Sequence, residues 1–469
     1  MRKSFIVFVF FVLMIVLMVG CAPPTFMVPV KVNVTLDDNI TDVSIDMDQN
    51  GIKHIVGLKD NRVVYFKGSV GVPTYQFTIG WGLLPPGTDT STWKQYQPEI
   101  GVLDNGTAHI VWWEHHGNLT QKIACHYEVP TIYDPTDLIS CRKLDEPAIY
   151  TTGLVRVIAK GNTAYAVYDR LHSSGYVDSV WYKKMEELST TGLVVSYLDV
   201  LEEAYIYSMD LDIDNNGKLH LAYIDEANSS NPRLNYRSNA TTNMDGSMSQ
   251  IWAIAFGGTG LQANVQPSID FYDDLVMIVS VWEISGNQVI YVDRCDIIDC
   301  DPHLTFLTSS VNEDWNSSSE ILEVKGLESF GNYTLSFIGH NDLSSNDQVW
   351  YWVSPFSGNP TQVTDTTYAK SQLNMVDGFI PVVGFVENWQ VSDPIISYLE
   401  KVSIYDIENG LREVGTYVCP GLSKFNSSDM ASYVDLMADS IPVAGVWSYC
   451  GTTRFSTNAY LINLPIIIK

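Results

Sequence analysis

The stretch Asp212-Ile-Asp-Asn-Asn-Gly-Lys-Leu-His-Leu-Ala-Tyr223 decides the fold. Acidic and apolar residues alternate up to Asn216-Gly217, and an apolar run follows, which is the pattern of a strand, a tight turn and a returning strand. Asn-Gly suits such a turn because both residues tolerate positive φ at low cost, and the pair predicts a type I′ hairpin. Working outward, the same unit recurs along the chain. Its turns fall at Asn50-Gly51, Asn105-Gly106, Lys160-Gly161, Asn216-Gly217, Asp273-Asp274, Gly331-Asn332, Asp377-Gly378 and Asp439-Ser440. Successive turns are separated by 55, 55, 56, 57, 58, 46 and 62 residues.

Each unit continues with an apolar second strand, such as His109-Ile-Val-Trp-Trp or Val276-Met-Ile-Val-Ser-Val-Trp. A third strand rich in Tyr or Trp follows, such as Val63-Val-Tyr-Phe, Leu234-Asn-Tyr-Arg or Val349-Trp-Tyr-Trp. A fourth, more variable stretch closes the unit, as in Tyr75-Gln-Phe-Thr-Ile. Second strands that are apolar on both faces need a sheet packed on each side. Four strands per unit, repeated without any helical period, predict an all-β chain folded as a β-propeller of eight four-stranded blades, with seven as the alternative. The strand Val28-Pro-Val-Lys-Val-Asn-Val precedes the first unit. It is expected to pair into the last blade and close the ring, which removes open sheet edges. The organisation expected is a signal peptide over 1–20, a lipidated linker over 21–27 and a single propeller domain over 28–469.

The chain has 469 residues, 46% of them hydrophobic and 17% charged, which excludes a disordered polymer. Arg2 and Lys3 precede an apolar run from Phe5 to Gly20, the order of an export signal. The run ends at Met18-Val-Gly-Cys21. That tetrapeptide resembles the lipobox of bacterial lipoproteins, with Met18 where Leu is usual. The resemblance implies that Cys21 is diacylated and becomes the N-terminus, placing the protein at a cell membrane or cell surface on the extracytoplasmic side. A secreted form with a differently cleaved signal and a single N-terminal membrane anchor are the alternatives. Loss of residues 1–20 leaves 25 basic against 54 acidic side chains, a net charge of −29. Nucleic acid is therefore not an expected partner.

Six further cysteines fall as neighbours: Cys125 with Cys141, Cys295 with Cys300, Cys419 with Cys450. An even number behind an export signal favours disulfides, although six cysteines allow 15 pairings. No CxxC pair offers zinc-ligand spacing.

The repeat, of I-D-x-x-x-N-G-x-x-H-[IL]-x-x-[WY] character, resembles the sialidase-like and BNR-type propellers of exported bacterial proteins. The resemblance implies a binding or glycan-processing role. The Asp box Ser-x-Asp-x-Gly-x-x-Trp is absent, however, and an arginine triad is hard to assemble because Arg156 and Arg170 share one unit.

Eight or nine residues past the second turn residue stand Glu114, Asp169, Asp225, Glu283 and Glu387, with Lys59, His340 and Ser448 in the remaining units. Trp113, Tyr168, Trp282 and Trp447 immediately precede this position. On a propeller these strand ends meet one rim, where carboxylates beside aromatics suit sugar or cation binding or an acid/base pair. The same acids also suit capping of the following loop. Asp46-Met-Asp48 and Asp212-Ile-Asp214 open like calcium loops, but Gly57 and Tyr223 occupy the place of the bidentate Glu, so calcium is a minor reading and no other cofactor is expected. His54, His109 and His220 share one place in the repeat and read as packed histidines rather than ligands.

Three functions compete: a non-catalytic platform for a glycan or protein partner, a glycoside hydrolase or lyase using two of the rim carboxylates, and a scaffold of the cell envelope. A monomer is expected. Replacing Cys21 by Ala should move the expressed protein from the membrane fraction to the soluble one and abolish incorporation of labelled fatty acid. Retention in the membrane would refute the lipid anchor.

Overall fold

The computed structural model describes residues 29–460 apart from connections between strands, the longest being 79–92, 128–140, 307–319 and 420–432, with side-chain detail confined mainly to residues 40–387. The described residues form strands and the turns joining them, and no helix is among them. The all-β expectation holds.

The strands form eight sheets. Six are plain four-stranded meanders in chain order, each opening on an innermost strand: Ile40–Met47, Trp93–Val102, Val155–Lys160, Tyr205–Ile213, Glu320–Ser329 and Ala369–Val376. We number the sheets first to eighth by chain order. In the fifth sheet the innermost position is shared by Gly260–Leu261 and Ser268–Tyr272, which both pair with Leu275–Ile284. The eighth sheet runs Tyr433–Ala438, Val443–Tyr449, Thr452–Tyr460 and then Pro29–Asp38, so its last strand comes from near the N-terminus. Each innermost strand lies beside the innermost strand of the next sheet, and that of the eighth lies beside that of the first. Sheets radiating from adjacent inner strands are the arrangement of a β-propeller.

The core sits between successive sheets. Val56, Val63 and Tyr65 of the first sheet meet Ile100, Ile110 and Trp112 of the second. Ala222, Ile224 and Tyr236 of the fourth meet Ile269, Ile278 and Trp282 of the fifth. The second strands are apolar on both faces because both faces are covered. Val111, for instance, packs toward the third sheet while its neighbour Trp112 packs toward the first.

The turns differ from the type I′ expectation. Ile213 pairs with Leu219, so the connection is the five-residue loop 214–218. Only Gly217 in it has positive φ, at 71°. Asp214 explains why, because its Oδ1 accepts the N–H of Asn216 and of Lys218 at 2.8 and 2.7 Å, and a wider loop is needed to present both donors. Asp48 does the same for Asn50 and Ile52 at 2.9 Å each. Lys160 pairs with Thr163 across Gly161-Asn162, with positive φ only at Gly161, the type II′ pattern. A turn with positive φ at both central residues occurs instead at Asp60-Asn61, between the second and third strands of the first sheet. The expected turns at Asp273-Asp274, Asp377-Gly378 and Asp439-Ser440 lie outside the described residues, as do Gly51 and Gly331.

Close strand approach limits side-chain size at Gly339, where an added Cβ would lie 2.3 Å from the Glu320 carbonyl oxygen. Gly339→Ala should therefore lower stability by about 1–3 kcal/mol, read from the midpoint of urea unfolding. An unchanged midpoint would show that this sheet edge shifts freely.

Candidate functional site

Carboxylates on the innermost strands reach across to the next sheet. Asp46 Oδ2 accepts the N–H of Val102 at 2.6 Å, and Glu99 Oε2 accepts that of Val157 at 3.2 Å. Asp210 Oδ2 accepts from Ile269 at 3.1 Å, and Glu323 Oε2 from Leu373 at 2.7 Å. The neighbouring inner strand leaves backbone N–H groups to be satisfied, and an acid supplies a charge-assisted acceptor for them.

Innermost strands also bulge. Register shifts fall at Thr41/Ser44, Tyr96/Glu99, Ile206/Ser208, Ile321/Glu323 and Ser371/Asn374. Two of these bulges hold non-glycine residues at positive φ, Asp42 at 47° and Gln97 at 46°. A bulge turns a backbone group out of its ladder and re-aims the side chain, and such strain gathers at functional sites.

Three of those bulges, at Thr41/Ser44, Tyr96/Glu99 and Ser371/Asn374, line a cavity of about 470 Å³. Its walls come from the first, second, third, fifth, sixth and seventh sheets, with Asp42, Gln97, Arg156, Gln266, Lys325 and Asn374 as the polar groups contributed in that order. Glu99 also lines it and is ion-paired with Arg156. Lys325 Nζ lies 3.6 Å from Asp210 Oδ2. Nearby on the same inner strand, Asp212 is 14% exposed and 3.9 Å from Lys160 Nζ. Burial pushes the Asp212 carboxyl up to about 8, with Lys160 opposing and Asp270 and Asp210 adding to the shift.

The acids and aromatics singled out from the sequence do not line this cavity. Glu114 is fully buried and accepts from Gln95 Nε2 and Trp112 Nε1, both at 2.9 Å. Gln95 in turn accepts the Val63 N–H at 2.6 Å, so Glu114 braces the contact between first and second sheets. Asp225 is buried and takes both Nε and Nη2 of Arg233 at 3.1 Å. Glu387 is buried and accepts from Thr366 Oγ1 at 2.5 Å. Glu283 is exposed and accepts from Gln262 Nε2 at 3.2 Å. Trp113 stacks on Tyr96 with centroids 4.2 Å apart and donates to the lining residue Gln97 at Oε1, 3.1 Å away. Tyr168 and Trp282 lie in the inter-sheet core. The side chains of Asp169, Trp447 and Ser448 fall outside the described residues, while His340 Nδ1 meets Asp347 at 2.8 Å.

In the two calcium-like segments, Asp48 and Asp214 cap their loops, while Asp46 and Asp212 also accept the N–H of the following residue at 2.7 Å each. Among the described residues no group of three or more His, Cys, Asp or Glu gathers as for a metal ion. Backbone register sets Cys125 opposite Cys141 across the two outer strands of the second sheet. Cys295 lies opposite Val276 and Cys419 opposite Tyr398, while Cys21, Cys300 and Cys450 fall outside the described residues.

The shared histidines are buried, and two of them meet tyrosine hydroxyls. His54 Nδ1 meets Tyr65 Oη at 2.6 Å and His220 Nδ1 meets Tyr236 Oη at 2.7 Å. Burial lowers His54 to about 3, helped by Lys67, and lowers His220 to about 4 against the pull of Asp214. His109 is also buried.

What sequence reasoning missed is the inner ring of acids and the bulges. The alternating Val43-Ser-Ile-Asp-Met and Met209-Asp-Leu-Asp-Ile carried the signal, since acids recur on strands that should face an interior.

No protein-family model matches the sequence, and no curated protein matches it. Among solved structures, prolyl oligopeptidase B from Galerina marginata shares 11% identity, with a TM-score of 0.49 over 88% of this chain and 55% of that one. The chain thus spans about half the length of that protein. The β-propeller domain of the Trilobed protease from Pyrococcus furiosus shares 9%, with a TM-score of 0.42 over 84% of this chain and 100% of that one. An ulvan lyase shares 10%, with a TM-score of 0.38 over 91% and 95% of the two chains.

Titration of the buried groups has a defined sign. In the unfolded chain an imidazole gains its proton near 6.5, whereas His54 and His220 stay neutral to about 3 and 4 when folded, so their stability is present above pH 6.5 and is lost as pH falls below it. Asp212 acts oppositely, its contribution being full below 3.8 and lost as pH rises toward 8. Between pH 6.5 and 4 the two histidines outweigh the one acid. The urea midpoint should fall across that window, fall more steeply in Asp212→Asn, and flatten in His220→Gln. Identical slopes in all three would refute the assignment.

Proposed function

We propose that the eight sheets are the blades of a closed eight-bladed ring, sealed by the Pro29–Asp38 strand, and that this ring is an exported, lipid-anchored platform binding a glycan without turning it over. The pairing of Pro29–Asp38 with Thr452–Tyr460 and the contact between the first and eighth innermost strands support closure. The observation that carries the binding role is the cavity of about 470 Å³ at the inner strands, of a size usual for small-molecule sites and lined by polar groups held on bulged backbone. Absence of turnover is supported by how the acids are engaged. A glycosidase needs two carboxyl groups facing one bond about 5–9.5 Å apart, whereas Glu114, Asp225 and Glu387 are buried in bonds to their own neighbours, and of the two carboxylates that line the cavity, Asp42 and Glu99, the second is ion-paired with Arg156. Anchoring at Cys21 would hold the platform outside the membrane, and the net charge of −29 keeps it clear of anionic surfaces.

The test uses the chain starting after Cys21 on a glycan array, followed by chromatography of every bound glycan after incubation. Binding with intact glycan, weakened by Asn374→Trp, is the expected result. Released or unsaturated sugar would overturn the non-catalytic reading, and binding unaffected by the substitution would overturn the cavity as its site.

A further inference from the structure

We propose that the cavity takes the chain end of a neutral glycan, a conclusion that rests on the binding role above and narrows it. Charge balance is the first argument. Both basic side chains of the lining are engaged by acids of this chain, Arg156 by Glu99 and Lys325 by Asp210 at 3.6 Å. An anionic ligand would have to break an ion pair and strand a carboxylate, and a cationic one would strand a base. Asp42, held at the bulge with φ of 47°, adds a negative group that repels uronates and sulfates.

Hydrogen-bonding capacity is the second. Ser44, Gln97, Gln266 and Asn374 line the same space, and each offers both a donor and an acceptor. Sugar hydroxyls also donate and accept, so they can satisfy such a wall from any side. An apolar ligand would shield this wall from water while offering its polar atoms no hydrogen bond, which is unfavourable.

Shape is the third. The walls are inner strands of five sheets together with Gln266, which precedes that of the fifth, so a ligand end is met from several sides. The volume falls in the lower half of the range for small-molecule sites, which admits terminal units and excludes a longer stretch. Trp113, stacked on Tyr96 and bonded to the cavity residue Gln97, lies next to the lining and offers a ring on which a further unit can rest.

The experiment reads an array carrying neutral and acidic glycans with the chain starting after Cys21, then competes each hit with the free disaccharide of its terminal units. Neutral hits, displaced by that disaccharide and weakened about tenfold or more by Asn374→Trp, are expected. Ser44→Leu is the second variant should Asn374→Trp melt early by circular dichroism. Acidic hits lost in these variants, or neutral hits that the terminal disaccharide fails to displace, would overturn this inference and leave the binding role intact. Silence across the whole array would overturn both.

Discussion

The structure depends on the bond between an inner-strand carboxylate and a backbone N–H of the following sheet. Asp46, Glu99, Asp210 and Glu323 each supply one. Apolar packing between sheets is strong but non-directional, and it would tolerate sliding of one sheet over another. A charge-assisted bond with a fixed donor does not, so each inner strand is set at a defined height beside the next. That height determines which side chains meet at the cavity. It also brings acids close enough together that bases must join them, which is where Arg156, Lys160 and Lys325 come in.

The balance of these charges is what makes the interior tolerable. Asp212 is mostly buried beside Lys160, and burial still outweighs the lysine in setting its proton affinity. The buried histidines solve the opposite problem by staying neutral and sharing a hydrogen bond with a third-strand tyrosine. Burial also pushes the Tyr223 hydroxyl up to about 12, although Arg237 donates to it at 2.8 Å. The repeated unit thus carries polar groups at fixed offsets, and most of them brace sheets rather than meet a ligand.

The acids at the ends of the second strands illustrate the distinction. Five units place Glu or Asp there, and a common rim is a fair deduction from equivalent offsets. Glu114 and Glu387 are nevertheless turned into the sheet contacts, while Glu283 faces solvent. Equal position in a repeat fixes where a Cα stands. It does not fix what the carboxylate meets, because the side chain opposite it on the adjoining strand of its own sheet differs: Gln95 meets Glu114, and Arg233 meets Asp225.

By itself the sequence determined the all-β class, the repeating four-strand unit, the places of most turns and the apolar second strands, because these follow from period, turn residues and burial within one unit. The strand before the first unit could be seen to lack a partner nearby, which is also local information. The tertiary structure decided the loop geometry at Asn216-Gly217, where Asp214 widens the turn, and the bulges that give Asp42 and Gln97 positive φ. It decided the cavity as well, since Asp42, Arg156, Gln266, Lys325 and Asn374 come from five different sheets. Their meeting depends on the height and rotation of each sheet against the next, and that relation is fixed by contacts between residues about 50 to 60 apart, such as Asp210 with Ile269, which no pattern inside one repeat records.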